Sequence, residues 1–174
     1  MLNKKIEDAI NKQINAELFS SYLYYSMSAY CDSLSLGGFA AWMRAQALEE
    51  MTHVHKFVEY LNNRGKKVIL STIEAPKTQW NSVAEVFDHV YSHEVHVSGL
   101  INKLMDVAIK EGDHASVNFL QWFVSEQVEE EATADAVVQK LKLIDKTSGG
   151  LFMLDKELGG RALSLPSELL GGEK

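Results

Sequence analysis

An all-α fold, a four-helix bundle with one long crossover and a short fifth helix, is what this sequence predicts. Three observations carry that prediction. Four long segments repeat apolar residues at three- and four-residue steps, the spacing that builds one buried face on a helix. Only two prolines occur in 174 residues, so little breaks those segments. The connections between them run short, long, short, which implies two antiparallel hairpins joined by one return along the bundle.

The first helix is expected from Lys4 to Asp32, with Asn3 as its N-cap. Ser33 to Leu36 is too short to do more than reverse the chain, so the second helix, Gly37 to Arg64, runs antiparallel to the first. Gly65 is the natural residue to follow its end. The stretch Lys66 to Asn81, containing Pro76, reaches roughly 50 Å at ~3.3 Å per extended residue. A helix as long as the second covers ~42 Å at ~1.5 Å per residue. The connection can therefore return along the whole bundle and start the third helix parallel to the second. That helix opens on Ser82-Val83-Ala84-Glu85, a capping-box pattern, and stops at Gly112. The short turn Gly112-Asp113-His114 sends the fourth helix, Ala115 to Asp145, back antiparallel to the third. Leu151, Leu154 and Leu158 mark a short fifth helix, expected at an outer end or a subunit contact, and the tail Leu165 to Lys174 is expected to be mobile. The whole chain reads as a single domain: bundle 1–145, linker and fifth helix 146–164, tail 165–174.

Composition narrows the function. The net charge of −7, with no basic run or tail, argues against nucleic acid. The single Cys31 allows no internal disulfide, and no C-x-x-C offers a zinc or iron–sulfur site, so Cys31 reads as a small core residue. Neither an apolar signal core nor a bilayer-length apolar window is present, so the expectation is a soluble cytoplasmic protein with no membrane partner.

Each of the four apolar stripes is interrupted near its middle by an acid. The stripes read Ile10, Gln13, Glu17, Ser20, Tyr24; Met43, Ala47, Glu50, His53, Phe57; Val90, Glu94, Val97; and Phe123, Gln127, Glu130, Ala134. Aligned in a bundle, Glu17, Glu50, Glu94 and Glu130 fall in one layer with His53 and Gln127. Four buried carboxylates cost several kcal/mol per uncompensated charge, which protonation or bound cations relieve. Two divalent metals balance four negative charges. Glutamates from facing helices with a Glu-x-x-His pair are how bundle cores build dinuclear sites. Oxygen-rich ligation with one imidazole suits iron or manganese, and a di-iron site is the expectation.

The stretches Asn15-Ala16-Glu17-Leu18, Ser20-Ser21-Tyr22-Leu23-Tyr24, Glu49-Glu50-Met51-Thr52-His53, His93-Glu94, Phe119-Leu120-Gln121-Trp122-Phe123, Glu126 to Glu131 and Phe152 to Leu158 together carry a resemblance. Over essentially its whole length the chain resembles the bacterial and archaeal non-haem ferritins. The resemblance implies a ferritin-like bundle with a ferroxidase centre inside each subunit, oxidising Fe(II) with dioxygen or peroxide. It implies that Glu17 and His53 bind the first iron, Glu50 bridges, and Glu94 and Glu130 bind the second. Gln127 stands beside the site, and Tyr24 hydrogen-bonds a ligand carboxylate. Glu49, Glu126 and Glu129, with Glu130, match a third iron position. The assembly implied is a cage of 24 copies that stores oxidised iron as mineral.

Other readings compete. A haem-binding bacterioferritin shares Met51, but Gln127-x-x-Glu130 stands where its site offers Glu-x-x-His, so haem is not expected. A non-storage di-iron peroxidase is the other alternative, disfavoured by the missing cysteines of a rubredoxin-type centre. His89, His93 and His96 share a face turned about 100° from the Glu94 stripe, and read as partly exposed or interface histidines.

Overall fold

The computed structural model describes residues 2–144 and 149–160. Five helices follow in order: α1 Lys4–Ser33, α2 Gly37–Asn63, α3 Val83–Lys110, α4 His114–Ile144 and α5 Gly150–Leu158. The expected boundaries hold to within two residues where they are described, the largest difference being α3, which ends at Lys110 and not at Gly112. The fourth helix was expected to reach Asp145, which, like the tail Leu165 to Lys174, lies outside the described residues.

The ends of the helices explain the chain reversals. Asn3 Oδ1 accepts from Lys5 N at 2.9 Å and caps α1. Gly65 (φ +66°) and Gly112 (φ +67°) take the left-handed conformation that costs glycine least, ending α2 and α3. At each, the next residue's N–H reaches back to the last turn: Lys66 N to Leu61 O at 2.9 Å, Asp113 N to Ala108 O at 3.1 Å. Ser82 Oγ accepts from Glu85 N at 3.1 Å, but the return bond of the capping box goes one residue earlier than expected, to Asn81 N at 2.8 Å. Asp113 Oδ1 accepts from Ser116 N at 2.8 Å, which places the turn aspartate as the cap of α4. Its carboxylate is also gripped by the Arg64 guanidinium at 2.7 and 3.1 Å.

One cap could not be anticipated. Leu36 offers α2 no side-chain acceptor, and Asp155 on α5 supplies it, taking Gly38 N at 2.8 Å and Phe39 N at 3.0 Å. A side chain at Gly38 would collide with the Asp155 carbonyl, so glycine is what lets α5 close on the start of α2. The fifth helix thus sits on an outer end of the bundle, burying Leu154 and Leu158 while Phe152 and Met153 stay exposed.

Contacts between distant ends establish direction. The start of α1 meets the end of α3 through Lys5–Glu111 at 2.7 Å, so those helices are antiparallel and α2 runs parallel to α3. The end of α2 meets the start of α4 through Tyr60–Ser116 at 2.8 Å. This is the long-crossover topology expected from the connection lengths. Inside, the apolar core is split. One cluster gathers Tyr24, Met27, Phe39, Met43, Phe87 and Val137 with the buried leucines of α5. The other gathers Ile6, Ile10, Ile14, Phe57, Ile101, Leu120 and Phe123. Between them lies a slab of buried polar side chains. Each fully buried apolar side chain contributes about 1.5–3 kcal/mol, and these two clusters offset the cost of that slab. Among the described residues no helix is long and apolar enough to cross a membrane.

Candidate metal centre

All four helices of the bundle feed the slab. Glu17, Glu50, His53, Glu94, Gln127 and Glu130 are each at most 8% exposed, so the structure buries every residue expected in the acidic layer. Helical period achieves this, because each lies on a stripe whose apolar residues, such as Ile10 and Tyr24 on either side of Glu17, recur at helical spacing and are buried.

Glu17, Glu50 and His53 each bring one ligand-type atom within 4.8 Å of the others. His53 Nδ1 lies 3.1 Å from Glu50 Oε2, and Gln13 Nε2 donates to Glu17 Oε1 at 2.9 Å. Among the described residues, two atoms here are buried with no hydrogen-bond partner, Glu17 Oε2 and His53 Nε2. A bare buried carboxylate oxygen costs about 1–3 kcal/mol or more unless something charged meets it. A cation among these three side chains is what fits.

Across the slab, Tyr24 Oη donates a short hydrogen bond to Glu94 Oε1. Gln127 Nε2 donates to Glu94 Oε2 at 3.2 Å and to its carbonyl at 3.3 Å. Gln46 Nε2 donates to Glu130 Oε2 at 2.7 Å. Gln46 was missed from sequence, although it sits one turn before Glu50 and the i, i+4 spacing was a usable signal.

Electrostatics follow burial. Desolvation, then the neighbouring Glu50 charge, pushes Glu17 up to about 8. Burial and the charges of Glu94 and Glu130 raise Glu50 well above the usual carboxylate range. Glu130 rises to about 7 through burial and the charges of Glu49 and Glu94, and burial also raises Glu94 against its bonds from Tyr24 and Gln127. Glu17 therefore keeps its proton at neutrality, and Glu130 is about half protonated there, until a positive charge displaces the proton.

A second group, Glu49, Glu126 and Glu130, also lies within 4.8 Å, the first two half-buried. Glu129, expected with them, is not in that group and is exposed. His93 departs from its expected exposure. It is 9% exposed, with Nε2 2.8 Å from Ser20 Oγ, because α1 packs against that flank of α3. Burial, then His89 and His96, lowers it to about 4, so it is neutral. His89 accepts from Trp80 Nε1 at 3.2 Å, and His96 is exposed. Met51 is half-buried and packs on the cluster around Phe57. Trp122 stands edge-on to His53 at 5.5 Å between ring centroids.

Buried carboxylates and an imidazole in the dry centre of a long-crossover bundle place the chain among the helical bundles able to hold metal there. Comparison with known proteins narrows the class. Residues 7–144 match the family model of the ferritin-like domain. A bacterial non-heme ferritin of Bacteroides fragilis is 45% identical over 161 residues, 92% of this chain and 100% of its own. That of Escherichia coli O6:H1 is 40% identical over 158 residues, covering 91% and 96%. An Archaeoglobus fulgidus ferritin, engineered into a closed form, superposes with a TM-score of 0.92 at 46% identity, covering 94% of this chain and 100% of that one. The chain belongs to the non-haem ferritin family.

Proposed function

We propose that this chain stores and detoxifies iron, oxidising Fe(II) to Fe(III) with dioxygen or peroxide at a two-metal site inside each subunit and depositing the product as mineral. The observation that carries the reading is the bare, buried Glu17 Oε2 beside Glu50 and His53. In this reading Glu17 and His53 hold the first iron, Glu50 bridges, and Glu94 and Glu130 hold the second. Tyr24 and Gln127 orient Glu94 through the bonds described above. Glu49, Glu126 and Glu130 receive a third iron, with Glu129 at its exposed edge. Fe(II) here is substrate, and haem has no part in the reading.

The chain's own groups do three things. They exclude water between two apolar clusters, hold carboxylate oxygens where hard cations prefer them, and release protons as cations arrive. Two Fe(II) give up one electron each; dioxygen taking both becomes peroxide, and peroxide taking both becomes water. Carboxylate ligands favour the ferric product. We further propose a single-domain chain assembled as a 24-subunit cage in the cytoplasm.

The test is aerobic stopped-flow mixing of metal-free protein with two Fe(II) per subunit, with light-scattering mass alongside. Rapid ferric absorbance from a particle of about 24 chains supports the reading. Oxidation no faster than in buffer overturns the ferroxidase assignment, and a mass of one or two chains overturns the cage.

A further inference from the structure

A cleft of about 120 Å³ opens between α3 and α4 on the flank of the acidic slab. It is walled by Ser98, Ile101 and Asn102 on α3 and by Val124, Val128 and Glu131 on α4, with the buried Gln127 as its floor. The mouth is open: Asn102 is exposed and Val128 is 68% exposed. Ser98 and Glu131 are half-buried, joined by a short hydrogen bond from the serine hydroxyl to the carboxylate. The floor is buried. Gln127 Nε2 lies 3.4 Å from Ser98 Oγ on the cleft side and 3.2 Å from Glu94 Oε2 on the slab side. One amide side chain therefore separates a cavity of mixed polar and apolar lining, large enough for several waters, from a carboxylate of the metal centre.

We propose that this cleft is a passage by which divalent cations reach the centre, with Glu131 and Ser98 drawing the hydrated ion in and Gln127 as the side chain that yields. The inference rests on the two-metal reading above. Charge and polarity favour the route. The Asn102 amide, the Ser98 hydroxyl and the Glu131 carboxylate supply oxygens that can replace waters stepwise between the apolar Ile101, Val124 and Val128. The pocket over Trp122, lined by Tyr60, Phe119 and Phe123, also holds Glu59, but there the carboxylate shares the lining with the Lys56 ammonium, which offsets its pull on a cation. Moving the Gln127 amide out of the way breaks three long hydrogen bonds, two to Glu94 and one to Ser98.

The test is anaerobic stopped-flow mixing of the assembled, metal-free protein with Co(II) at low ionic strength. The visible absorption of Co(II) reports arrival at carboxylate and imidazole ligands without any oxidation. Glu131→Gln keeps the shape and removes the charge; Asn102→Trp plugs the mouth. The passage predicts arrival slowed about fivefold in E131Q, with the difference shrinking at high salt, and tenfold or more in N102W. The number of Co(II) bound per subunit at equilibrium stays as in the parent protein. Should N102W fail to assemble, E131Q and its salt dependence decide alone. Unchanged arrival rates with normal stoichiometry overturn the passage and leave the two-metal reading standing. A parent protein that binds no Co(II) at the buried residues overturns both.

Discussion

On the α1–α2 side of the slab, Glu17 keeps one buried oxygen with no partner, and His53 one such ring nitrogen. On the α3–α4 side, Glu94 takes hydrogen bonds from Tyr24 and Gln127, while Glu130 takes one from Gln46 on α2. Both sides are equally dry, so burial does not distinguish them. Partnering does. A cation entering the first side satisfies atoms that have nothing, whereas one entering the second competes with donors already in place, each worth about 1–3 kcal/mol when charged. On the proposed two-metal reading, the first position is expected to be the tighter one and the second to be oriented in advance but weaker.

The largest test of this asymmetry is Glu17→Gln. It keeps the bond from Gln13 but removes the charge at the bare oxygen, and is expected to slow Fe(II) oxidation on the order of 100-fold in stopped-flow absorbance. Retained oxidation would show that the α1–α2 side is not where the first cation sits.

Next comes pH. Glu17 and Glu130 hold protons in the folded state up to about 8 and about 7, against 4.5 for an ordinary glutamate. The folded chain then binds more protons than the unfolded one between those values, so stability of the metal-free protein falls as pH rises from about 4.5 to about 8. Below 4.5 the advantage is fully present; above 8 it is gone. Thermal melts at pH 5 and pH 8 should differ by on the order of 2–4 kcal/mol in stability, and Glu17→Gln should shrink that difference. A flat profile would mean these acids are not buried as described.

How much of this was legible in the chain depends on the range of the interaction. Glu17, Glu50, His53, Glu94, Gln127 and Glu130 could be placed on buried faces because helical period is a local property, and equal distance from the turns aligned them. The caps by Asn3 and Asp113 and the glycine stops at Gly65 and Gly112 were local too. Asp155 capping α2 was not, since it reaches across 117 positions of sequence. His93 was misread for a related reason. Its angle from the Glu94 stripe was right, but which helix covers that flank is a matter of packing, and α1 brings Ser20 to it. Gln46 was overlooked because only stripe residues were followed.

On the better-partnered side, Gln46→Ala leaves Glu130 buried with one donor fewer. A loss of about 1–3 kcal/mol in unfolding free energy, read from denaturant titration, is expected at pH 8, larger than at pH 5 where Glu130 is protonated. Equal losses at both pH values would show that the bond matters only as packing. Smallest is Glu49→Gln, on the half-buried edge of the second acidic group. It should leave the first oxidation pulse within about twofold and alter only later turnovers.

The direct measurement is a crystal of the assembled protein soaked anaerobically in rising Fe(II), with anomalous maps at the iron edge. Two peaks per subunit are expected in the slab, the one among Glu17, Glu50 and His53 filling first and the one beside Glu94 and Glu130 following. Iron found only at surface acids, or filling the Glu94 side while Glu17 stays bare, would contradict the account.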